Sequence, residues 1–165
     1  GLYWSKIKGT EEAKSIEPDE DYIIPIGKGR IAQHADQAAI DRGESCCVVT
    51  YGMGVYWAKT ASKSHPGMVE IVDLRSISPW DRELVMERVK VHGKCLVVTE
   101  EPECNTFAQA LSGEIGRTCF RYLDAPVEVI GSADVPAIPL NEILEKSVIP
   151  NAHKVSERLA SLLND

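Results

Sequence analysis

No stretch of this sequence approaches the roughly 18 consecutive apolar residues that a membrane-spanning helix needs. Residues 1–10 lack the basic start and apolar centre of a secretion signal. Basic residues are in deficit: 18 Lys and Arg stand against 25 Asp and Glu, a net charge of -7. A field of that sign repels phosphate backbones and anionic lipid, so neither nucleic acid nor a membrane is expected as partner. The five cysteines include no CxxC pair, which excludes a zinc knuckle and a thioredoxin-like motif. His34, His65, His92 and His153 have no ligand-like spacing, so no metal site is expected. There is no GxSxG elbow and no GxxxxGK[ST] loop, so an elbow-type hydrolase and a P-loop nucleotidase are set aside.

Cys46, Cys47 and Cys95 sit inside apolar, strand-like runs, where a free thiol behaves as a small buried hydrophobe. Unpaired cysteines used in this way point to a reduced, cytoplasmic protein. The 165 residues, with 44% hydrophobic and 26% charged, suit one soluble domain with a real core.

Residues 1–22 are polar and rich in acid (Glu11, Glu12, Glu17, Asp19, Glu20, Asp21), apart from Leu2, Tyr3 and Trp4. They are expected to form an arm leading from a preceding domain, with the globular domain spanning 23–165. Beyond Pro25 the pattern alternates. Strands are expected at 46–51, 69–74, 95–99 and 127–130, and helices at 53–64, 79–91, 105–122, 140–147 and 152–163. Strands alternating with helices of this length mean right-handed βαβ units and a parallel sheet. Ser78-Pro79 with Asp81 reads as an N-cap, a proline at the first helical position and an acid near the helix's positive end. Asn151 is expected to cap the last helix, whose Val155, Leu159, Leu162 and Leu163 form one apolar stripe.

Gly52-Met53-Gly54 lies where a dinucleotide fingerprint would, but Trp57 occupies the third glycine position. The glycines are read instead as a tight strand-to-helix turn. Asp73, Arg75, Glu100 and Glu101 emerge together at the carboxyl ends of parallel strands, the edge where open α/β sheets take ligands. That cluster is either a small-molecule site or, as favoured, an ion-pair network that fixes loops or meets another domain, with Arg75 against Glu100 as the expected pair. Val135, Pro136, Ile138 and Pro139 form a rigid apolar loop, equally a partner contact or a crossover packed on its own domain. His65 and His92 read as structural, and no catalytic dyad emerges.

Taken in order, several strings resemble a known family: 22–28, Val49-Thr50-Tyr51-Gly52, the run from Val69 to Asp81, Val97-Val98-Thr99-Glu100-Glu101, Phe120 to Val127, Ala133-Asp134-Val135-Pro136, and Leu144-Glu145-Lys146 with Ile149-Pro150. They are similar to the C-terminal, transketolase-type domain of the beta part of thiamine-diphosphate-dependent 2-oxo acid dehydrogenases. The resemblance covers about residues 22 to 163. Gly29 to Glu44 departs from it, being longer than the usual connection and partly helical in pattern. Glu103-Cys104-Asn105-Thr106 also departs, standing where a glycine-rich turn is common, and no basic residues flank Val129-Ile130-Gly131.

The resemblance implies a three-layer α/β/α fold on a five-stranded, mostly parallel sheet with one antiparallel edge strand. It implies that thiamine diphosphate and Mg²⁺ are held elsewhere, between the alpha part and a preceding pyrimidine-binding domain, and none by this domain. Its partners would be that domain, the alpha part, a second copy through a homodimer contact, and the dihydrolipoyl acyltransferase core. The implied reaction is decarboxylation of a 2-oxo acid, branched-chain favoured and pyruvate next, with reductive acylation of a lipoyl group. The isolated domain is expected to be inactive. The alternatives are the equivalent domain of a transketolase or deoxyxylulose-phosphate synthase, or a stand-alone ligand-binding regulatory module.

Overall fold

A computed structural model describes residues 16–164. Residues 1–15, including Leu2, Tyr3 and Trp4 of the expected arm, lie outside the described part. In chain order the elements are β1 (Arg30–Gln33), α1 (Gln37–Asp41), β2 (Cys46–Thr50), α2 (Met53–Ser62), β3 (Val69–Asp73), α3 (Arg82–His92), β4 (Cys95–Pro102), α4 (Phe107–Cys119) with a 3-10 turn at Phe120–Tyr122, β5 (Glu128–Ser132), α5 (Glu142–Val148) and α6 (Ala152–Leu163).

The apolar runs become the inner strands because both their faces need cover. The sheet order is β1-β3-β2-β4-β5, with β1 antiparallel to β3 and the other pairs parallel. Side chains alternate across it. Cys46, Val48, Ile71, Leu96 and Val98 face α2 and α6, where they meet Ala58, Ala61, Val155, Leu159 and Leu162. Cys47, Val49, Val72, Cys95 and Val97 face α3 and α4, where they meet Val85, Met86, Val89, Leu111 and Ile115. Both faces of the central sheet are therefore covered from within the chain, giving the expected three layers. Each fully buried aliphatic side chain contributes about 1.5–3 kcal/mol.

Local chemistry sets the ends. Gly52 adopts φ 58, ψ −129, a backbone conformation that L side chains avoid, and so turns β2 into α2. A Cβ on Gly54 would stand 2.1 Å from Thr50 Oγ1 and 3.1 Å from the Val98 carbonyl, so α2 reaches the sheet only because this residue has no side chain. Asn151 caps α6 as expected, accepting from the Lys154 N–H (3.0 Å), and Val155, Leu159 and Leu162 of the stripe are buried.

Several boundaries differ from expectation. α3 begins at Arg82, not Pro79, because its cap is Asp81 rather than Ser78. The Asp81 carboxylate accepts from the Leu84 N–H (3.3 Å) and also from the Gly29 N–H (3.1 Å), so one acid both caps a helix and fixes the chain entering β1. The helix expected at 105–122 is shorter, ending at Cys119 before a 3-10 turn. The segment 29–44 is helical only at α1. It also supplies β1, the antiparallel edge strand, paired Arg30 to Asp73 and Ile31 to Val72.

Candidate functional site

The carboxyl ends of β3, β2, β4 and β5 form one edge, and the expected cluster lies there. The structure places its members side by side but does not join them to each other. Asp73, buried at the end of β3, accepts from Arg30 Nε (3.1 Å) and from the Arg75 backbone N–H (3.2 Å). Arg75 has φ 56, a left-handed conformation uncommon outside glycine. Its guanidinium donates from Nη2 to the Gly29 carbonyl at 3.4 Å, while its Nε is buried with no acceptor. Glu101 accepts from the Tyr51 hydroxyl (2.5 Å) and from the Ala108 N–H (3.0 Å) in the first turn of α4. Thr99 Oγ1 stands 2.8 Å from the Tyr51 hydroxyl. Burial first, and then the hydrogen bond to Glu101, pushes the Tyr51 phenol well above its ordinary range. Glu100 is exposed, leans over the end of β2 near Gly52, and has no ion pair among the described residues. The expected Arg75–Glu100 pair does not form: Arg75 reaches towards Gly29 on the β1 side, away from β4.

The apolar loop lies at the β5 end of the same edge. Val135, Pro136 and Ile138 are exposed and Pro139 is half-buried. Next to it Leu140, Ile143 and Leu144 are exposed, and α5 buries no residue. The end of α5 is nonetheless tied down. The Lys154 ammonium donates to the carbonyls of Lys146, Ser147 and Ile149 at the end of α5, and the Ala133 N–H donates to the Val148 carbonyl. At the β1 end of the edge, Tyr22, Ile23, Ile24, Ile26 and Ile77 are exposed as well. Gly27 packs against Pro79, which places the two segments together. Two exposed apolar rims therefore flank a polar centre.

A second polar cluster lies at the opposite, amino edge. Glu70, near the amino end of β3, is buried and receives both Nε and Nη2 of Arg88 from α3. His92 Nε2 is 3.2 Å from Glu70 Oε1, off hydrogen-bond alignment, and His92 Nδ1 is 2.7 Å from Ser45 Oγ. His34 Nδ1 adds a contact at 3.4 Å. Burial alone would raise the Glu70 carboxyl, but His92 and Arg88 outweigh it and lower it to about 2. The serine–histidine–carboxylate order is not a catalytic triad, since Ser45, His92 and Glu70 are all sealed from solvent. His92 therefore packs in the core, and His65 ties to Ser156 of α6.

Burial pushes the Cys46 thiol up to about 12 and raises Cys47 and Cys95 as well, which makes these thiols chemically inert. Among the described residues no group of three His, Cys, Asp or Glu could hold a metal ion, and no helix is long and apolar enough to cross a membrane.

Comparison with known proteins agrees with this architecture. The family described as Transketolase, C-terminal domain, matches residues 35–155. The 2-oxoisovalerate dehydrogenase subunit beta of Bacillus subtilis is 31% identical over 164 residues, covering 98% of this chain and 48% of that protein. The pyruvate dehydrogenase E1 component subunit beta of Rhizobium meliloti is 32% identical over 146 residues, covering 87% of this chain and 30% of that protein. A solved structure titled "Split gene transketolase, inactive beta4 tetramer" superposes with a TM-score of 0.68 at 19% identity, over 88% of this chain and 45% of that one, and so shares the fold. The chain thus spans half or less of the length of these relatives.

Proposed function

The chain belongs to the transketolase C-terminal domain family, and from that premise we propose that it is the assembly domain of a thiamine-diphosphate-dependent 2-oxo acid dehydrogenase. The parent enzyme decarboxylates a 2-oxo acid and passes the acyl group to a lipoyl carrier. A branched-chain 2-oxo acid is favoured and pyruvate is next, in keeping with relatives named for 2-oxoisovalerate and for pyruvate. Residues 1–22 act as the arm from a preceding domain, and 23–165 are the domain proper.

One observation carries this reading. The sheet edge where open α/β folds place their ligands is spent on internal contacts and is rimmed by exposed apolar side chains. Asp73 is committed to Arg30, and Glu101 to Tyr51 and α4. A diphosphate brought to this edge would meet Asp73, Glu100 and Glu101, and the cations there are Arg30, already held by Asp73, Lys28 beside Asp81, and the half-buried Arg75. This donor set does not suit the cofactor. The account therefore leaves thiamine diphosphate and Mg²⁺ to the alpha part and the preceding pyrimidine-binding domain. The domain's own work is to hold a second copy and to help dock the acyltransferase core, with Val135, Pro136, Ile138 and Pro139 as part of the contact.

The full-length enzyme that contains this chain is expected to decarboxylate branched-chain 2-oxo acids or pyruvate when supplied with thiamine diphosphate and Mg²⁺. Absence of oxo-acid turnover, with turnover of sugar phosphates in its place, would overturn the proposal in favour of a transketolase-type parent.

A further inference from the structure

The last strand of the sheet, β5, pairs only with β4, and no strand stands beyond it among the described residues. Its backbone is half used. Ser132 turns its carbonyl to the β4 side, where it accepts from the Glu103 N–H (3.2 Å). Successive residues of a strand turn their N–H and C=O to opposite sides, so Val129, Gly131 and Ala133 turn theirs outward. The chain itself meets part of that demand. Ala133 donates to the Val148 carbonyl (3.0 Å), and the Glu103 carboxylate takes the Gly131 N–H (3.1 Å). Ile149 is extended like a strand residue, but Pro150 has no N–H to give and Asn151 then opens α6. The outer side of β5 at Val129 and Gly131 is therefore left without a neighbouring strand. It borders a groove of about 520 Å³, whose other wall is the row Lys154, Glu157, Arg158 and Ser161 along one face of α6.

We propose that this groove takes an extended peptide with basic side chains, added to β5 as a sixth strand. The proposal goes beyond the assembly reading and does not rest on it. Main-chain bonds to Val129 and Gly131 supply the hold, and the incoming carbonyl takes the Gly131 N–H from Glu103. The charges of the groove select the side chains. Lys154 is spent on three carbonyls at the end of α5, and Arg158 on Glu128 at 2.6 Å. Glu157 is exposed and meets only His153, at 3.3 Å. Glu103 holds nothing but the Gly131 N–H once Arg158 and Lys154 are accounted for. The remainder is negative, in a chain whose net charge is -7, so lysine or arginine side chains on alternate positions of the peptide complement it. An acidic peptide would find no free cation in the groove.

The probe is a fluorescent peptide of alternating lysine and valine, about eight residues long, titrated by anisotropy into the full-length protein that contains this chain. Saturable binding is expected, with slower amide hydrogen exchange at Val129 and Gly131. Methylating alternate backbone nitrogens of the peptide keeps its charge but blocks strand addition, and should weaken binding by about tenfold or more. Replacing its lysines with glutamates should do the same. Val129→Pro removes one outward N–H, a change that edge strands tolerate, and should also weaken binding by about tenfold. The methylated peptide makes the same test on the unaltered protein, should that variant not fold. No binding, or binding that methylation leaves unchanged, would overturn the proposal. So would protection of Val129 and Gly131 without peptide that grows with protein concentration, since a second copy would then fill the edge.

Discussion

Replacing Arg88 with methionine removes the doubly bonded partner of a buried carboxylate near the amino end of β3. The Glu70 side chain is only 1% exposed, so solvent cannot take over the role of the guanidinium. Breaking a buried ion pair on one side costs about 3–5 kcal/mol, because the remaining charge is stranded. For a chain of this size that corresponds to a fall in melting temperature of about 10 °C. Replacing both partners (Arg88→Met with Glu70→Leu) should return most of the loss, since two apolar groups strand nothing. The same pair makes stability depend on pH. Glu70 titrates near 4.5 when free and at about 2 in the folded chain. Its folded value is depressed, so its contribution of about 3 kcal/mol is complete above pH 4.5 and is lost as pH falls from there towards 2. Urea unfolding followed by far-ultraviolet circular dichroism at pH 7, and again between pH 5 and 3, measures both effects. Glu70→Gln should flatten the acid part of the profile. A loss below 1 kcal/mol in Arg88→Met, or an acid slope unchanged in Glu70→Gln, would refute the reasoning.

Other outcomes follow from the same geometry. Gly54→Ala forces a methyl group against Thr50 and the Val98 carbonyl and should cost about 1–3 kcal/mol, read from denaturant midpoints. Asp81→Ala removes the α3 cap and the tie to Gly29, and should cost about 1–2 kcal/mol in the same assay. With Ellman's reagent, Cys104 should react in the native chain, while the buried Cys46, Cys47, Cys95 and Cys119 should react only on unfolding. The Tyr51 phenol should stay protonated through pH 10, where an ordinary tyrosine is half-ionised; difference absorbance between wild type and Tyr51→Phe isolates it.

The inner strands were legible because burial on both faces writes itself into the sequence as continuous apolar runs such as Cys46-Cys47-Val48-Val49 and Cys95-Leu96-Val97-Val98. β1 was not. Arg30-Ile31-Ala32-Gln33 is short and half polar, and it is a strand only because β3 lies beside it, a pairing across some forty residues that local pattern does not carry. Missing β1 also hid the partner of Asp73, so the carboxyl-edge residues could be brought together on paper but not correctly paired. The start of α3 was misplaced because Ser78-Pro79 carries a sound local cap signal, whereas it is Asp81 that makes the cap bond, from the Leu84 N–H, and a further one from Gly29. The Glu70 cluster left a signal that went unread. A carboxylate inside Val69-Glu70-Ile71-Val72 demands a buried partner, and Arg88 and His92 stand four apart on one face of the next helix.

The account's central claim is that this domain assembles and leaves the cofactor to other parts of the enzyme. Its most direct test is the sedimentation mass of the chain during titration with thiamine diphosphate and Mg²⁺. The account predicts a dimer at every cofactor concentration, with no saturable binding. A monomer throughout, or saturable uptake of the cofactor by this chain, would contradict it.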